Sequence, residues 1–146
     1  APNLIVFRSL GKFFGLAGVR VGFLFAAPEI LGKMAEAMGP WAVAGPSREA
    51  ARLALGDNAW QTCMRPRLIA ASQRLQQLLV PLGEVKSTAL FAALTSPHSN
   101  ALYEFLAGQG ILTRRFEQQP LVRFGLPGNE AEWQRLSGAL GNWKPT

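Results

Sequence analysis

A glycine-rich segment near the start of the chain reads SLGKFFGLAGVRVG over residues 9–22. Two apolar runs rich in β-forming residues flank it, at residues 4–7 and 21–26. Continuous apolar runs of this length are typical of buried strands, and the glycines between them permit a tightly folded loop. The pattern therefore predicts a strand, a loop and a second strand, with further sheet around both strands.

Three polar side chains, Ser9, Lys12 and Arg20, lie in this predicted loop. An amine among aromatic and apolar neighbours loses solvation, which favours the neutral, nucleophilic form that can make a Schiff base. The segment therefore indicates a reactive site, although the same residues alone would fit a solvated lysine and arginine. A phosphate-binding P-loop is excluded, because Phe13 stands where that motif has Ser or Thr and no glycine lies five residues before Gly11.

The segment resembles the lysine segment of fold-type-I pyridoxal-phosphate enzymes, in the aminotransferase class I/II superfamily. In that family Ser-x-x-Lys is followed eight residues later by Arg, and Ser9, Lys12 and Arg20 have this spacing. The resemblance implies that Lys12 is the catalytic residue and holds pyridoxal 5'-phosphate covalently, while Ser9 and Arg20 bind the cofactor phosphate. A hydroxyl and a planar guanidinium suit that role, because both donate to phosphate oxygens. The implied fold is α/β, the C-terminal part of the aspartate aminotransferase-like fold.

A second pattern lies near the end of the chain, where Arg114 follows an apolar run and Arg123 stands inside a predicted strand. A buried guanidinium without a partner is costly, and an anionic ligand would remove that cost. The family resemblance implies that Arg123 pairs with the substrate α-carboxylate and that Arg114 assists or binds a second anionic group. Because Arg115 doubles the charge, the sequence does not separate Arg114 from Arg115. A strand-edge arginine facing water is the alternative for Arg123.

The overall composition, with 49% hydrophobic and 16% charged residues among 146, is typical of a globular protein with a real core. The net charge of +6 comes from scattered arginines, so it indicates a small anionic substrate and no nucleic-acid partner. Cys63 is the only cysteine of the chain and His98 is the only histidine, which excludes a disulfide framework and disfavours a metal site. No apolar run reaches the length of a membrane span, and a cytoplasmic location is expected.

The remaining signals predict a large-domain piece over residues 1–56 and a small domain over residues 57–146. The predicted helices span residues 29–38, 47–55, 58–82, 99–108 and 129–140, and the predicted later strands span residues 89–95, 111–114 and 121–126. Ser47 is expected to cap the second helix, and Pro66 to kink or shift the third. The later β-α-β-β-α order suits an antiparallel sheet covered by helices, as in the α+β small domain of this family.

Two softer signals, PWAVAGP at residues 40–46 and RFGLPG at residues 123–128, resemble the threonine-phosphate decarboxylase branch of the family. That branch is associated with cobalamin biosynthesis and related to histidinol-phosphate aminotransferases. The implied reaction is decarboxylation of L-threonine O-3-phosphate to aminopropanol phosphate. A histidinol-phosphate-type aminotransferase and an aminotransferase-like ligand-sensing domain of a transcription regulator are the alternatives.

Asp57 is the only aspartate of the chain. The family uses an aspartate to keep the pyridine nitrogen of the cofactor protonated, but Asp57 stands in a helix-stop and N-cap context that does not match that aspartate. The resemblance therefore implies that the chain is the C-terminal portion of a longer enzyme, and that the isolated piece is inactive. Family members are homodimers, so the same association is expected.

Overall fold

The computed structural model describes residues 3–145, and the chain divides into two compact units, Ala1–Gln61 and Thr62–Thr146. Residues 1–2 and 146, the outer ends of the two predicted domains, lie outside the described residues. The division falls inside a long helix, a few residues after the predicted boundary. The assignment of a cofactor-domain piece and a small domain to these parts stays a prediction.

The two apolar runs of the first unit form an antiparallel pair of strands, β1 (Val6–Ser9) and β2 (Gly22–Phe25). The predicted strand, loop and strand are therefore confirmed, but their predicted burial is wrong. Phe7 is 72% exposed and Phe25 is 56% exposed. The reason is that, among the described residues, no third strand extends this pair.

Two helices complete the first unit, α1 (Pro28–Met38) and α2 (Gly45–Gly56). Each has a proline in its first turn, where the missing N–H would have no helical partner and the fixed φ favours the helix. The predicted cap at Ser47 is wrong, because α2 begins two residues earlier and Ser47 lies inside it. Gly39 ends α1 with a φ of +67°, a conformation that favours glycine.

The next helix, α3 (Asn58–Leu79), crosses the division and leads into a four-stranded sheet with two more helices. Its elements are β3 (Glu84–Ser87), β4 (Phe91–Thr95), α4 (Ser99–Gly108), β5 (Arg114–Phe116), β6 (Leu121–Gly125) and α5 (Glu130–Asn142). The strand order is β3-β4-β6-β5 with every pair antiparallel. The predicted antiparallel sheet with helices is confirmed, and α3 continues through Pro66.

Two strands differ from the sequence patterns for local reasons. β3 is not predicted, because it is a short edge strand in which polar Glu84 and Lys86 flank Val85. β5 begins at Arg114, three residues after the predicted start at Ile111. The N–H of Ile111 donates to the Leu106 carbonyl at 2.8 Å, which ties this residue to the end of α4 instead of to a ladder.

A single apolar core lies in the second unit. Its twelve buried side chains are Leu75, Leu79, Ala92, Leu94, Leu102, Leu106, Val122, Phe124, Trp133, Leu136, Ala139 and Leu140. Strand alternation places one face of β4 and β6 against α3, α4 and α5, so the other face of the sheet stays open. Within residues 3–145, no helix is long and apolar enough to cross a bilayer.

Candidate functional site

The loop between β1 and β2 folds around Leu10, which is 1% exposed. The N–H of Leu16 donates to the Leu10 carbonyl at 3.0 Å, and that of Gly15 donates to the Lys12 carbonyl at 3.0 Å. Gly15 adopts a φ of +67°, which closes the turn after Lys12. These bonds fold the loop back, so residues 16–22 return beside its first residues.

The folded loop encloses a cleft of about 280 Å³. Ser9, Lys12 and Arg20 line it together, with backbone and small side chains from Gly11, Leu16, Ala17, Val21 and Gly22. No carboxylate is among these lining residues, so the cleft carries two positive charges and a hydroxyl. The structure thus brings together the three polar side chains that the sequence singles out, in a setting that favours an anion.

Arg20 is the only non-glycine residue in the described part of the chain with a positive φ, at +54°. Its N–H and its guanidinium Nη1 both donate to the Ala17 carbonyl, at 3.4 Å and 3.3 Å. A left-handed conformation costs a non-glycine residue free energy, and such strain clusters at functional sites. The backbone therefore directs Arg20 to the cleft at a local energetic cost.

Gly11 makes the close approach inside the cleft possible. Its N–H donates to Ser9 Oγ at 3.0 Å. A Cβ at this position would lie 3.2 Å from Ala17 Cα and 3.3 Å from Ser9 Oγ. A larger residue would crowd the hydroxyl that the cleft presents, so the glycine is needed for packing rather than for its φ.

The predicted desolvation of Lys12 is wrong for the described residues, because its side chain is exposed. Its aromatic neighbours pack on each other instead. The Phe13 and Phe14 ring centroids are 5.0 Å apart, and they lie 5.3 Å and 5.7 Å from Trp60 at the start of α3. Trp60, which sequence reasoning does not single out, therefore anchors the residues that follow Lys12.

The open face of the second sheet carries the two arginines that the sequence singles out. Arg123 alternates on β6 with buried Val122 and Phe124, so it lies on the face away from the core. It is half-buried rather than buried, and its direct cross-strand partner on β5 is Arg114. Like charges in this arrangement repel, and within residues 3–145 neither guanidinium has a hydrogen bond or an ion pair. The pair favours an anion.

Arg114 and its neighbour Arg115 differ in their contacts. Arg115 Nη1 donates to Glu104 Oε1 at 3.1 Å, and its Nη2 lies 4.0 Å from Glu117 Oε1. Its Cζ also lies 5.1 Å from the Tyr103 ring centroid. Arg115 is therefore neutralised by its own contacts, and Arg114 is the candidate ligand-binding residue of the two.

Two phenylalanines border the arginines. The Cζ of Arg123 lies 4.6 Å from the Phe91 ring centroid and 5.8 Å from that of Phe116, and Arg114 Cζ lies 5.4 Å from Phe116. Sequence reasoning does not single them out. The available signal is the period of β4, because Phe91 alternates with buried Ala92 and so lies on the open face.

The other polar candidates take structural positions. The Asp57 carboxylate accepts from the N–H of Trp60 at 2.9 Å and so caps α3, as its sequence context predicts. His98 is an exposed residue at the start of α4, and Cys63 is an exposed free thiol. Among residues 3–145, no group of three or more His, Cys, Asp or Glu side chains is arranged to hold a metal ion.

The chain matches the family described as aminotransferase class I and II over residues 1–140, and it belongs to that family. A threonine-phosphate decarboxylase of Pseudomonas aeruginosa is 50% identical over 98% of this chain and 44% of the relative. A histidinol-phosphate aminotransferase of Desulfitobacterium hafniense is 32% identical over 96% of this chain and 41% of the relative. The chain thus spans less than half the length of these curated relatives.

A solved structure supports the same fold. The histidinol-phosphate aminotransferase from Sinorhizobium meliloti, in complex with pyridoxal-5'-phosphate, matches 95% of this chain and 40% of its own. The TM-score is 0.74 at 22% identity. The α/β aminotransferase fold that the lysine segment predicts is therefore confirmed.

Proposed function

We propose that this chain is part of a pyridoxal 5'-phosphate enzyme that decarboxylates L-threonine O-3-phosphate to aminopropanol phosphate, for cobalamin biosynthesis. The observation that carries the proposal is the cleft in which Ser9, Lys12 and Arg20 meet without a carboxylate. The 50% identity to a threonine-phosphate decarboxylase supports the choice of reaction. We also propose that the protein forms a homodimer and that it is located in the cytoplasm.

The residues of the cleft fit the cofactor. An amine, a hydroxyl and a guanidinium line a cleft of about 280 Å³, and the missing Cβ at Gly11 avoids crowding of the Ser9 hydroxyl. Ser9 and Arg20 would hold the phosphate and Lys12 would bind covalently. When bound, pyridoxal 5'-phosphate supplies an electron sink for bonds at the substrate α-carbon.

The residues of the chain have separate parts in this reaction. The guanidinium of Arg123 binds the α-carboxylate and thereby sets which bond at the α-carbon is broken. Arg114 assists with the carboxylate or binds the substrate phosphate, since the two arginines are cross-strand neighbours. The Lys12 Nζ returns a proton to the α-carbon after carbon dioxide leaves.

The second candidate is a histidinol-phosphate-type aminotransferase, which the 32% identity to such an enzyme favours. The full-length protein should be assayed with the cofactor for carbon dioxide release from L-threonine O-3-phosphate. A parallel assay should follow 2-oxoglutarate-dependent transamination of histidinol phosphate. We expect activity in the first assay, and activity confined to the second would replace the decarboxylase with the aminotransferase.

The cofactor assignment has its own test. Lys12→Ala in the full-length protein should abolish cofactor absorbance that survives gel filtration, because the covalent link is lost. Lys33→Ala, an exposed lysine of α1, is the matched control and should retain it. Equal retention in both variants would refute the role of Lys12.

A further inference from the structure

The two phenylalanines of the open face border Arg123 from both neighbouring strands. Phe91 of β4 pairs with Gly125, and Phe116 of β5 pairs with Leu121, so each ring is diagonal to Arg123. One ring is displaced toward one end of β6 and the other toward the opposite end. Diagonal neighbours on a sheet are within reach of aromatic and long side chains, which the distances of 4.6 Å and 5.8 Å confirm.

These contacts restrain the guanidiniums without using their hydrogen-bond donors. A ring face attracts a cation through its quadrupole and accepts no strong hydrogen bond. Arg115 shows the contrast, because it contacts the ring of Tyr103 but also donates to Glu104. Within the described part of the chain, Arg114 and Arg123 have ring contacts alone, so their donors stay available to a ligand.

The third neighbour of Arg123 is small. Ala93 of β4 lies directly opposite Arg123, on the side away from Arg114. The open face thus has two arginines side by side, a ring at each end and a methyl group beside them.

We propose that Phe91 and Phe116 are positioning residues that hold the Arg123 guanidinium for an anionic group of the substrate, and that Phe116 does the same for Arg114. The proposal rests on the proposed function, which gives both arginines to substrate binding. A phosphate or a carboxylate is the ligand class, since both match a planar guanidinium.

The first experiment separates positioning from folding in the full-length protein. Phe91→Leu and Phe116→Leu keep an apolar side chain but remove the ring, and we expect each to raise the substrate KM about three- to tenfold with a smaller change in kcat. Phe116→Tyr keeps the ring and should restore KM to within about twofold. Tyr103→Leu is the matched control, because it removes the same kind of contact from Arg115. It should leave KM unchanged.

The second experiment uses inorganic phosphate as the probe, so it does not depend on turnover. The NMR signals of the Arg114 and Arg123 Nε–H groups in the 146-residue chain should shift on titration with phosphate, and the Arg114 signal reports binding in Arg123→Lys. We expect weaker binding in Phe116→Leu and in Arg123→Lys, and unchanged binding in Tyr103→Leu.

The outcomes distinguish the two proposals. If Arg123→Lys weakens phosphate binding and raises KM while both leucine variants leave them unchanged, the positioning role is refuted and the arginine assignment stands. If Arg123→Lys changes neither quantity, the substrate-binding role of Arg123 fails and the positioning role fails with it. If Tyr103→Leu matches the Phe116→Leu effect, the contacts stabilise the fold only.

Discussion

Two regions of the molecule are stabilised in different ways. They are the loop between β1 and β2 that contains Lys12, here the lysine loop, and the open sheet face with Arg114 and Arg123, here the arginine face. The loop joins two partly exposed strands and closes on Leu10 through a few local hydrogen bonds. The arginine face belongs to a sheet whose other side is covered by a twelve-residue core. Side chains on a packed sheet are held by many contacts, whereas a loop holds its groups by turn geometry. The arginine face is therefore stabilised by the packed core beneath it, whereas the lysine loop depends on its own hydrogen bonds and turns.

The largest effect should come from expressing the two units separately. Residues 62–146 should unfold cooperatively, because they contain the whole apolar core. Residues 1–61 should show no cooperative transition, since only Leu10 and Ala51 are buried among their described residues. Circular dichroism during heating measures both. A sharp transition in residues 1–61 would remove the contrast.

A core truncation should have the next largest effect. Leu106 is fully buried in the second unit, and Leu106→Ala should lower the free energy of unfolding of residues 62–146 by about 3 kcal/mol. Denaturant titration measures this change. Leu10→Ala in the 146-residue chain is the counterpart and should leave the unfolding of the second unit unaltered. A similar loss from Leu10→Ala would show that the lysine loop supports the core.

A smaller effect is expected from adding one methyl group to the cleft that Ser9, Lys12 and Arg20 line. Gly11→Ala places a Cβ 3.3 Å from Ser9 Oγ, and it should weaken cofactor binding in the full-length protein about tenfold by crowding the hydroxyl. Gly18→Ala is the control, because a Cβ there meets nothing within 4 Å. Cofactor titration followed by absorbance compares them. Equal affinity would mean that the cleft adapts.

The smallest effect should be a pH dependence confined to the second unit. Two hydrogen bonds of 2.7 Å from Arg74 lower the pKa of Glu130 below its ordinary value of 4.5. The unfolded chain then binds more protons, so the contribution of this pair is present above pH 4.5 and is lost as the pH falls through the lowered pKa. Because both groups are exposed, the change is small.

Melting temperatures between pH 6 and pH 3 measure this dependence. Glu130→Gln should reduce the fall in the melting temperature of residues 62–146 below about pH 4.5. The matched pair in the first unit is Glu49 with Arg52, in which a hydrogen bond from Arg52 also lowers the pKa of Glu49. Glu49→Gln in the 146-residue chain should leave the second unit unchanged. An identical curve for wild type and Glu130→Gln would exclude the contribution.

Most elements follow from local pattern, and the exceptions have physical causes. Apolar periodicity and proline positions predict the helices and the longer strands, because these signals act within a few residues. β3 escapes the apolar pattern because polar Glu84 and Lys86 flank Val85, and β5 begins late because Ile111 is bonded to the end of α4. The exposure of β1 and β2 depends on what covers them, and their apolar sequence alone predicts burial.

The sequence by itself determined the family, through the spacing of Ser9, Lys12 and Arg20, because these three residues lie within one short segment. Only the tertiary structure decided how Arg114 and Arg123 become neighbours and why Arg115 is not one of the pair. Cross-strand register sets which side chains share a face, and a shift of one residue would exchange them. The phenylalanines beside the arginines follow from the same register, since their positions depend on pairings between separate strands.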